Sequence, residues 1–239
     1  MHISDDQIPR LRTAMQSHEW FAGCSDEFQL AMVTLGHSRC LTDGESLYKA
    51  GEVASGFWCV ISGRVRLNQP NGDKNSVFLE YVPYDWVGEL SLIDEQPVTL
   101  NALAVGETSV VEIKREVLLA WLDEHPKYWR DFGRLNCRRN RYGGLMLHHA
   151  TNLVLQERVL QRLYLISASY GMRSNLACRI HSSQEELASM VGASRPSVSI
   201  ALGKLVKQGF IELRYGEIYL LKPTEPPRNW EALKNESLV

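Results

Sequence analysis

Long apolar runs are missing: nowhere do the 239 residues approach the about 18 consecutive apolar positions that a bilayer-spanning helix needs. Cysteine is scarce and scattered. Cys24, Cys40, Cys59, Cys137 and Cys178 are odd in number and share no tight spacing, which excludes a disulfide framework and points to reduced thiols in a cytoplasmic setting. The acidic, polar opening MHISDDQIPR lacks the apolar core of a secretory signal. A phosphate-binding glycine loop, a zinc-ligand spacing and a nucleophile triad are all absent, so the expectation is a protein that is not an enzyme and holds no metal. No pattern names a cofactor. The adjacent pair His148–His149, at a helix end, reads as solvated.

What is present is an uneven charge. The net charge is −2, but residues 1–125 sum to −10, residues 126–149 to +5 and residues 150–222 to +4. An acidic front and a basic rear leave only the rear suited to meet a polyanion; an uneven but solvated surface is the plainer alternative.

The front half alternates short apolar runs with turn glycines. Strands are predicted at Ser46–Tyr48, Phe57–Ile61, Arg64–Leu67, Ser76–Val82, Thr99–Val105 and Ser109–Ile113, a spacing that suits an antiparallel barrel or roll. Helices precede them at Asp6–Ser17 and at Asp26–Leu35, the second capped by Ser25. From Lys114 the period turns helical. REVLLAWLDEH stops at Pro126, which opens a long helix to about Asn152, with Trp129, Phe132, Leu135, Leu145 and Leu147 at helical spacing. A helix of that length calls for a partner, most simply its own copy in a dimer. Gly143 and Gly144 in its middle mark either a kink or a close backbone approach across the dimer axis. A further helix spans 153–169, and the loop SYGMRSN follows.

The segment SSQEELASMVGASRPSVSIALGKLVKQGF reads as two helices about a tight turn. Ser183 and Glu186 form a capping box, Gly192 supplies the positive φ of the turn, and Ser194 opens the second helix with Arg195 and Pro196 in its first turn. Leu187, Ala188, Val191, Ala193, Val198 and Ala201 are the buried positions, and Gly209 ends the second helix. FIELRYGEIYLL is then a hairpin of strands Phe210–Arg214 and Glu217–Leu221 about Tyr215–Gly216, which completes a winged helix-turn-helix. The second helix of such a unit enters the major groove, so Arg195 is placed to form a fork onto guanine. Ser183, Ser197 and Ser199 suit phosphate or base contacts. The candidate DNA-binding set is Ser183, Gln184, Ser194, Arg195, Pro196, Ser197, Ser199, Ile200 and Lys204.

From about His37 to Leu221 the chain resembles the CRP–FNR family of bacterial transcription regulators. AGEVASGFWCVISGRVRL resembles the family's jelly roll, WVGELSLI its phosphate-binding cassette, and SQEELASMVGASRPSVSIALGKL its helix-turn-helix. The resemblance implies an α+β fold: an antiparallel β-roll effector domain (1–125), a dimerisation helix (126–152) and a winged helix-turn-helix domain (153–239). It implies a homodimer on an inverted-repeat operator, with RNA polymerase as a further partner and no membrane. The cassette departs from the cyclic-AMP-binding members. Gly88, Glu89 and Leu90 match, but the arginine and serine that hold the cyclic phosphate are replaced by Thr99 and Leu100. The Thr-Ser pair that meets adenine is replaced by Gly143–Gly144, and a glycine usual before the cassette is Tyr84. Gly88, Glu89, Leu90, Thr99, Leu100, Gly143 and Gly144 form the candidate effector pocket, with Gly88 and Glu89 serving chiefly the fold of the roll. In the second helix Arg195 matches a guanine-reading arginine of CRP, while Pro196 and Ile200 replace a glutamate and a second arginine. The oxygen-sensing branch holds iron–sulfur on clustered cysteines; Cys24 and Cys40 lie sixteen residues apart, which excludes that reading. The expected function is a DNA-binding regulator that answers an effector other than cyclic AMP. An effector-independent regulator, or a sensing module with a protein-docking hairpin, is the alternative.

Overall fold

The computed structural model describes residues 3–69, 77–169, 179–214 and 216–221. The chain divides into two units, Met1–Arg141 and Tyr142–Val239.

In the first unit three helices come first: α1 (Ile8–Met15), α2 (Glu19–Ala22) and α3 (Asp26–Thr34). The Ser25 hydroxyl accepts from the Phe28 N–H and fixes where α3 begins. A six-stranded antiparallel sheet follows: β1 (His37–Leu41), β2 (Ser46–Tyr48), β3 (Gly56–Asn68), β4 (Leu79–Tyr81), β5 (Trp86–Val87) and β6 (Asn101–Lys114). The order is β1-β6-β3-β4, with β2 also on β6 and β5 also on β3. Two expected breaks are absent. The runs on either side of Gly63 form one strand of 13 residues, and the runs Thr99–Val105 and Ser109–Ile113 are joined within one strand of 14. The reason is a shared irregularity: Ser62 pairs with Ser109 and Arg64 with Val105, so the register slips at Gly63 opposite residues 106–108 while the ladder continues. Ser76 of the predicted Ser76–Val82 strand lies outside the described residues, and of the remainder only Leu79–Tyr81 is strand, as β4. A short helix, α4 (Glu89–Asp94), sits between β5 and β6, and α5 (Arg115–Glu124) follows the sheet.

A single 3-10 turn at Pro126–Tyr128 leads into α6 (Trp129–Asn152), which is continuous through both Gly143 and Gly144. The expectation that the whole apolar stripe of this helix lacks a partner within the chain is wrong for its first half. Phe132 and Leu135 are fully buried in the first unit. Phe132 meets Phe57 at 5.3 Å, Phe28 at 5.7 Å and Trp20 at 5.9 Å between ring centroids, and the Trp20 indole donates to the Asp131 carbonyl at 2.6 Å. Trp86 stacks between Phe57 (4.9 Å) and Phe21 (5.3 Å). These rings form the core between the helices and the sheet, where large aromatic areas contribute most of the apolar burial.

The second unit packs α7 (Leu155–Ser167), α8 (Gln184–Val191) and α9 (Arg195–Lys207) with a three-stranded antiparallel sheet. Its strands are β7 (Arg179–Ile180), β8 (Ile211–Arg214) and β9 (Glu217–Leu220), in the order β7-β9-β8. Leu163, Tyr164, Leu187, Val198, Leu202, Ile211 and Ile218 are among its buried core. The expected loop SYGMRSN, Cys178 and the turn residue Tyr215 fall outside the described residues, apart from Ser169 at the loop's start.

Candidate nucleic-acid interface and effector pocket

The helix-turn-helix is built by local chemistry. The Ser183 hydroxyl accepts from the Glu186 N–H at 3.1 Å, and the Ser183 N–H donates back to the Glu186 carboxylate at 2.8 Å, closing the capping box. Gly192 ends α8 at φ 64° and ψ 47°, a left-handed conformation natural to glycine, and the Ala193 N–H returns to the Ala188 carbonyl at 3.0 Å. The Ser194 hydroxyl then accepts from the Ser197 N–H at 3.3 Å and starts α9, with Pro196 in the first turn. Leu187, Ala188, Val191, Val198 and Ala201 are buried as expected, and Ala193 is half-buried.

With Val198, Ala201, Leu202 and Leu205 turned inward, helical spacing turns the other face of α9 outward. Arg195, Pro196, Ser199, Ile200 and Lys204 are exposed there, the side chain of Arg195 at 66% and Ile200 at 64%. Gln184 and Ser197 are half-buried. Ser183 and Ser194 spend an oxygen lone pair on their caps, and the Ser194 and Ser197 hydroxyls bond each other at 2.8 Å. A serine hydroxyl that accepts a cap bond still has one proton to donate, so capping and phosphate contact are compatible at Ser183. One neighbour went unforeseen. The Glu185 carboxylate stands 3.9 Å from the Arg195 Nε, reaching across the turn from α8. In the wing, Arg214 binds Glu212 at 2.9 Å and covers the Tyr219 ring at 4.2 Å, so the bonded guanidinium holds the Glu212 carboxyl below its ordinary range.

In the roll, Gly88 adopts φ 105°, and a Cβ there would fall 2.6 Å from the Gly56 carbonyl and 2.8 Å from the Trp58 ring. No other residue fits. That turn starts α4 and sends the Glu89 side chain inward, where the residue is 2% exposed. Its counter-charge is Arg139 of α6, whose guanidinium pairs with the Glu89 carboxylate, donates to the Trp86 carbonyl and lies 5.1 Å from the Tyr81 ring centroid. Burial works against the charge of Arg139, but the Glu89 carboxylate outweighs it and keeps the guanidinium firmly protonated. Burial likewise pushes the nearby Tyr48 phenol well up. Sequence reading named Glu89 and missed Arg139. The signal was there: Arg139 follows Phe132 and Leu135 on the same face of the helix.

Leu90 and Thr99 are exposed and Leu100 half-buried. Gly143 and Gly144 belong to the second unit, with open space where a Cβ would stand. Arg64 and Arg66 both close on Glu80, at 2.9 and 2.8 Å. Tyr84 keeps the left-handed φ (74°) that glycine would supply in its place. Of the histidines, His149 is buried, contrary to the solvated reading, and burial, with His148 and Arg162, lowers its pKa to about 4. His148 is exposed and bonded by Asn152, while His125 stacks on Trp121 at 4.6 Å. Among the described residues no three metal-ligating side chains cluster, and no helix is long and apolar enough to cross a membrane.

A roll carrying an inward glutamate on a glycine-started helix, joined in one chain to a winged helix-turn-helix, defines a class: DNA-binding transcription regulators with a cyclic-nucleotide-binding-like domain. Comparison with known proteins agrees. Residues 38–125 match the cyclic nucleotide-binding domain family, and residues 157–225 match the Crp-like helix-turn-helix domain family. The "CRP-like cAMP-activated global transcriptional regulator" of Mycobacterium tuberculosis is 30% identical over 186 residues, covering 76% of this chain and 82% of that one. The "Cyclic AMP receptor protein" of Thermus thermophilus is 26% identical over 205 residues, covering 85% and 93%. Among solved structures, FixK2 of Bradyrhizobium japonicum shares the fold with a TM-score of 0.66 at 22% identity, covering 85% of this chain and 98% of that one. The chain belongs to the CRP–FNR family of transcription regulators.

Breaking the buried pair by one partner leaves a charge without compensation, which costs about 3–5 kcal/mol. Arg139→Met should therefore lower the stability of the first unit by that amount, and Glu89→Gln/Arg139→Met should recover most of it. Urea denaturation followed by tryptophan fluorescence reads this unit, which holds five of the six tryptophans. A single variant as stable as the wild type would contradict it.

Proposed function

We propose that the chain acts as a homodimer that reads an inverted-repeat operator through the exposed face of α9 and does not respond to cyclic AMP. The single observation that carries the DNA reading is the capped, wing-backed helix α9, which leaves Arg195, Pro196, Ser199, Ile200 and Lys204 outward over a basic stretch of chain. Arg195 is the guanine reader, and Ile200 and Pro196 offer apolar contact, for instance to a thymine methyl. Ser183, Gln184, Ser194, Ser197 and Ser199 serve phosphates and base edges around it. We assign residues 1–125 to sensing, 126–152 to dimerisation and 153–239 to DNA. The dimer reading rests on the second half of α6, where Leu147 is 67% exposed. RNA polymerase is the expected further partner, the setting is cytoplasmic, and the chain has no catalytic role of its own.

Against cyclic AMP stands the cassette. A buried cyclic phosphate needs a paired cation, since desolvating an unpaired charge is costly. Thr99 stands where the resemblance places the phosphate-binding arginine, and Arg64 and Arg66 are already engaged by Glu80. Charge-assisted bonds contribute about 1.5–3 kcal/mol each, so losing a two-bond fork removes about 3–6 kcal/mol, or two to four orders of magnitude in affinity. That Glu89 is already neutralised by Arg139 favours a second reading, regulation without any small molecule.

Two measurements test these statements. Arg195→Ala should weaken operator binding by about 1–3 kcal/mol per half-site, with an unchanged melting curve; anisotropy titrations on labelled DNA read it, and unchanged affinity would remove Arg195 from the interface. Calorimetry with cyclic AMP should give no binding in the micromolar range and no change in operator affinity. Micromolar binding coupled to tighter operator binding would sink the claim.

A further inference from the structure

A carboxylate stands beside the outward face of α9, the face assigned to DNA. Glu185 of α8 reaches across the turn to within 3.9 Å of the Arg195 Nε, with both side chains open to solvent, 56% and 66% exposed. Among the described residues it is the one carboxylate within 4 Å of that guanidinium. An acid beside a phosphate-binding surface opposes association, so its place there calls for a reason. Capping does not supply one: the capping box is closed by Glu186, whose carboxylate takes the Ser183 N–H at 2.8 Å. The approach is set instead by the fold of the hairpin. Gly192 turns the chain, the Ala193 N–H returns to the Ala188 carbonyl at 3.0 Å, and Leu187 and Ala188 of α8 share one core with Val198 and Ala201 of α9. That packing brings the first turns of the two helices together, and with them Glu185 and Arg195.

We infer that Glu185 sets base specificity through Arg195, as a positioning residue for the fork onto guanine. The inference rests on Arg195 being the guanine reader. A guanidinium can reach guanine O6 and N7 with N–H groups of its terminal nitrogens while the Nε–H stays on the other edge. A carboxylate on the Nε side draws the group into the orientation in which those terminal nitrogens face the groove. At 3.9 Å the contact is longer than a hydrogen bond, so Glu185 attracts the guanidinium without occupying the donors that guanine needs. The same charge acts against wrong sequences. Where adenine presents an amino group in place of O6, the arginine loses its fork, and a phosphate is the acceptor left to it. Glu185 competes with that phosphate for the guanidinium and repels it, so the backbone does not rescue a mismatch. An exposed ion pair is worth a factor of up to about five, and discrimination at one base pair is where that factor is read.

The test uses the full chain and an operator selected from a random DNA pool. Anisotropy titrations compare that operator with one carrying A·T in place of the fixed G·C pair. Glu185→Gln keeps the shape of the side chain and leaves the capping box intact. It should lower the G·C-over-A·T affinity ratio by about fivefold per half-site, chiefly by tightening binding to A·T, with an unchanged melting curve. In an Arg195→Ala background the same substitution should leave the ratio unchanged. A ratio that survives Glu185→Gln would overturn the inference, as would an equal gain on both operators, the mark of general charge repulsion. A ratio that still shifts in the Arg195→Ala background would also overturn it, since Glu185 would then act without the arginine. Failure of the underlying reading looks different: Arg195→Ala alone leaves the ratio intact, or the pool enriches no operator, and the inference falls with it.

Discussion

The first unit depends on a buried ion pair. Glu89 is forced inward because Gly88, in a backbone conformation that no side chain tolerates against Gly56 and Trp58, points it there. A carboxylate at that depth must find a cation, and the chain brings one 50 residues later from α6. Desolvating both charges costs several kcal/mol for each, so the pair contributes little net stability. What it contributes is position. Arg139 also takes the Trp86 carbonyl and the face of Tyr81, so helix α6 has one rotation and one register on the sheet. Phe132 and Leu135, on the same helix face, fill the aromatic core from that fixed position.

The second unit solves a different problem, that of starting two helices close together. Ser183, Gly192 and Ser194 satisfy N–H groups and turn the chain within a dozen residues, which fixes where α8 ends and α9 begins. Set beside the cyclic-AMP-binding members it resembles, the sequence departs at Thr99, Leu100, Gly143, Gly144 and Tyr84. Tyr84 is instructive, since it holds a left-handed φ at a strain of about 1–2 kcal/mol, keeping the turn while changing the side chain.

The helix-turn-helix was legible almost residue by residue, because caps, turn glycines and 3.6-residue periodicity are local. Ser25, Ser183, Ser194, Gly192 and Gly209 all act where the sequence places them. The roll was legible as a class but not in its joints. A glycine such as Gly63 ends a strand or merely bends it depending on a partner strand more than 40 residues away, and no local pattern records that. Glu89 was visible as a motif residue, but its pairing with Arg139 joins distant segments, so one half of the site was read and the other missed. The first half of the α6 stripe was misassigned for the same reason: periodicity shows that Phe132 and Leu135 are buried, not against what.

Selection of bound fragments from a random DNA pool by the wild-type protein tests the central claim most directly. The account predicts enrichment of an inverted repeat, with a G·C pair at one fixed position in each half and half-site centres about one helical turn apart. A pool with no enriched sequence, or one with a single unrepeated half-site, would contradict it.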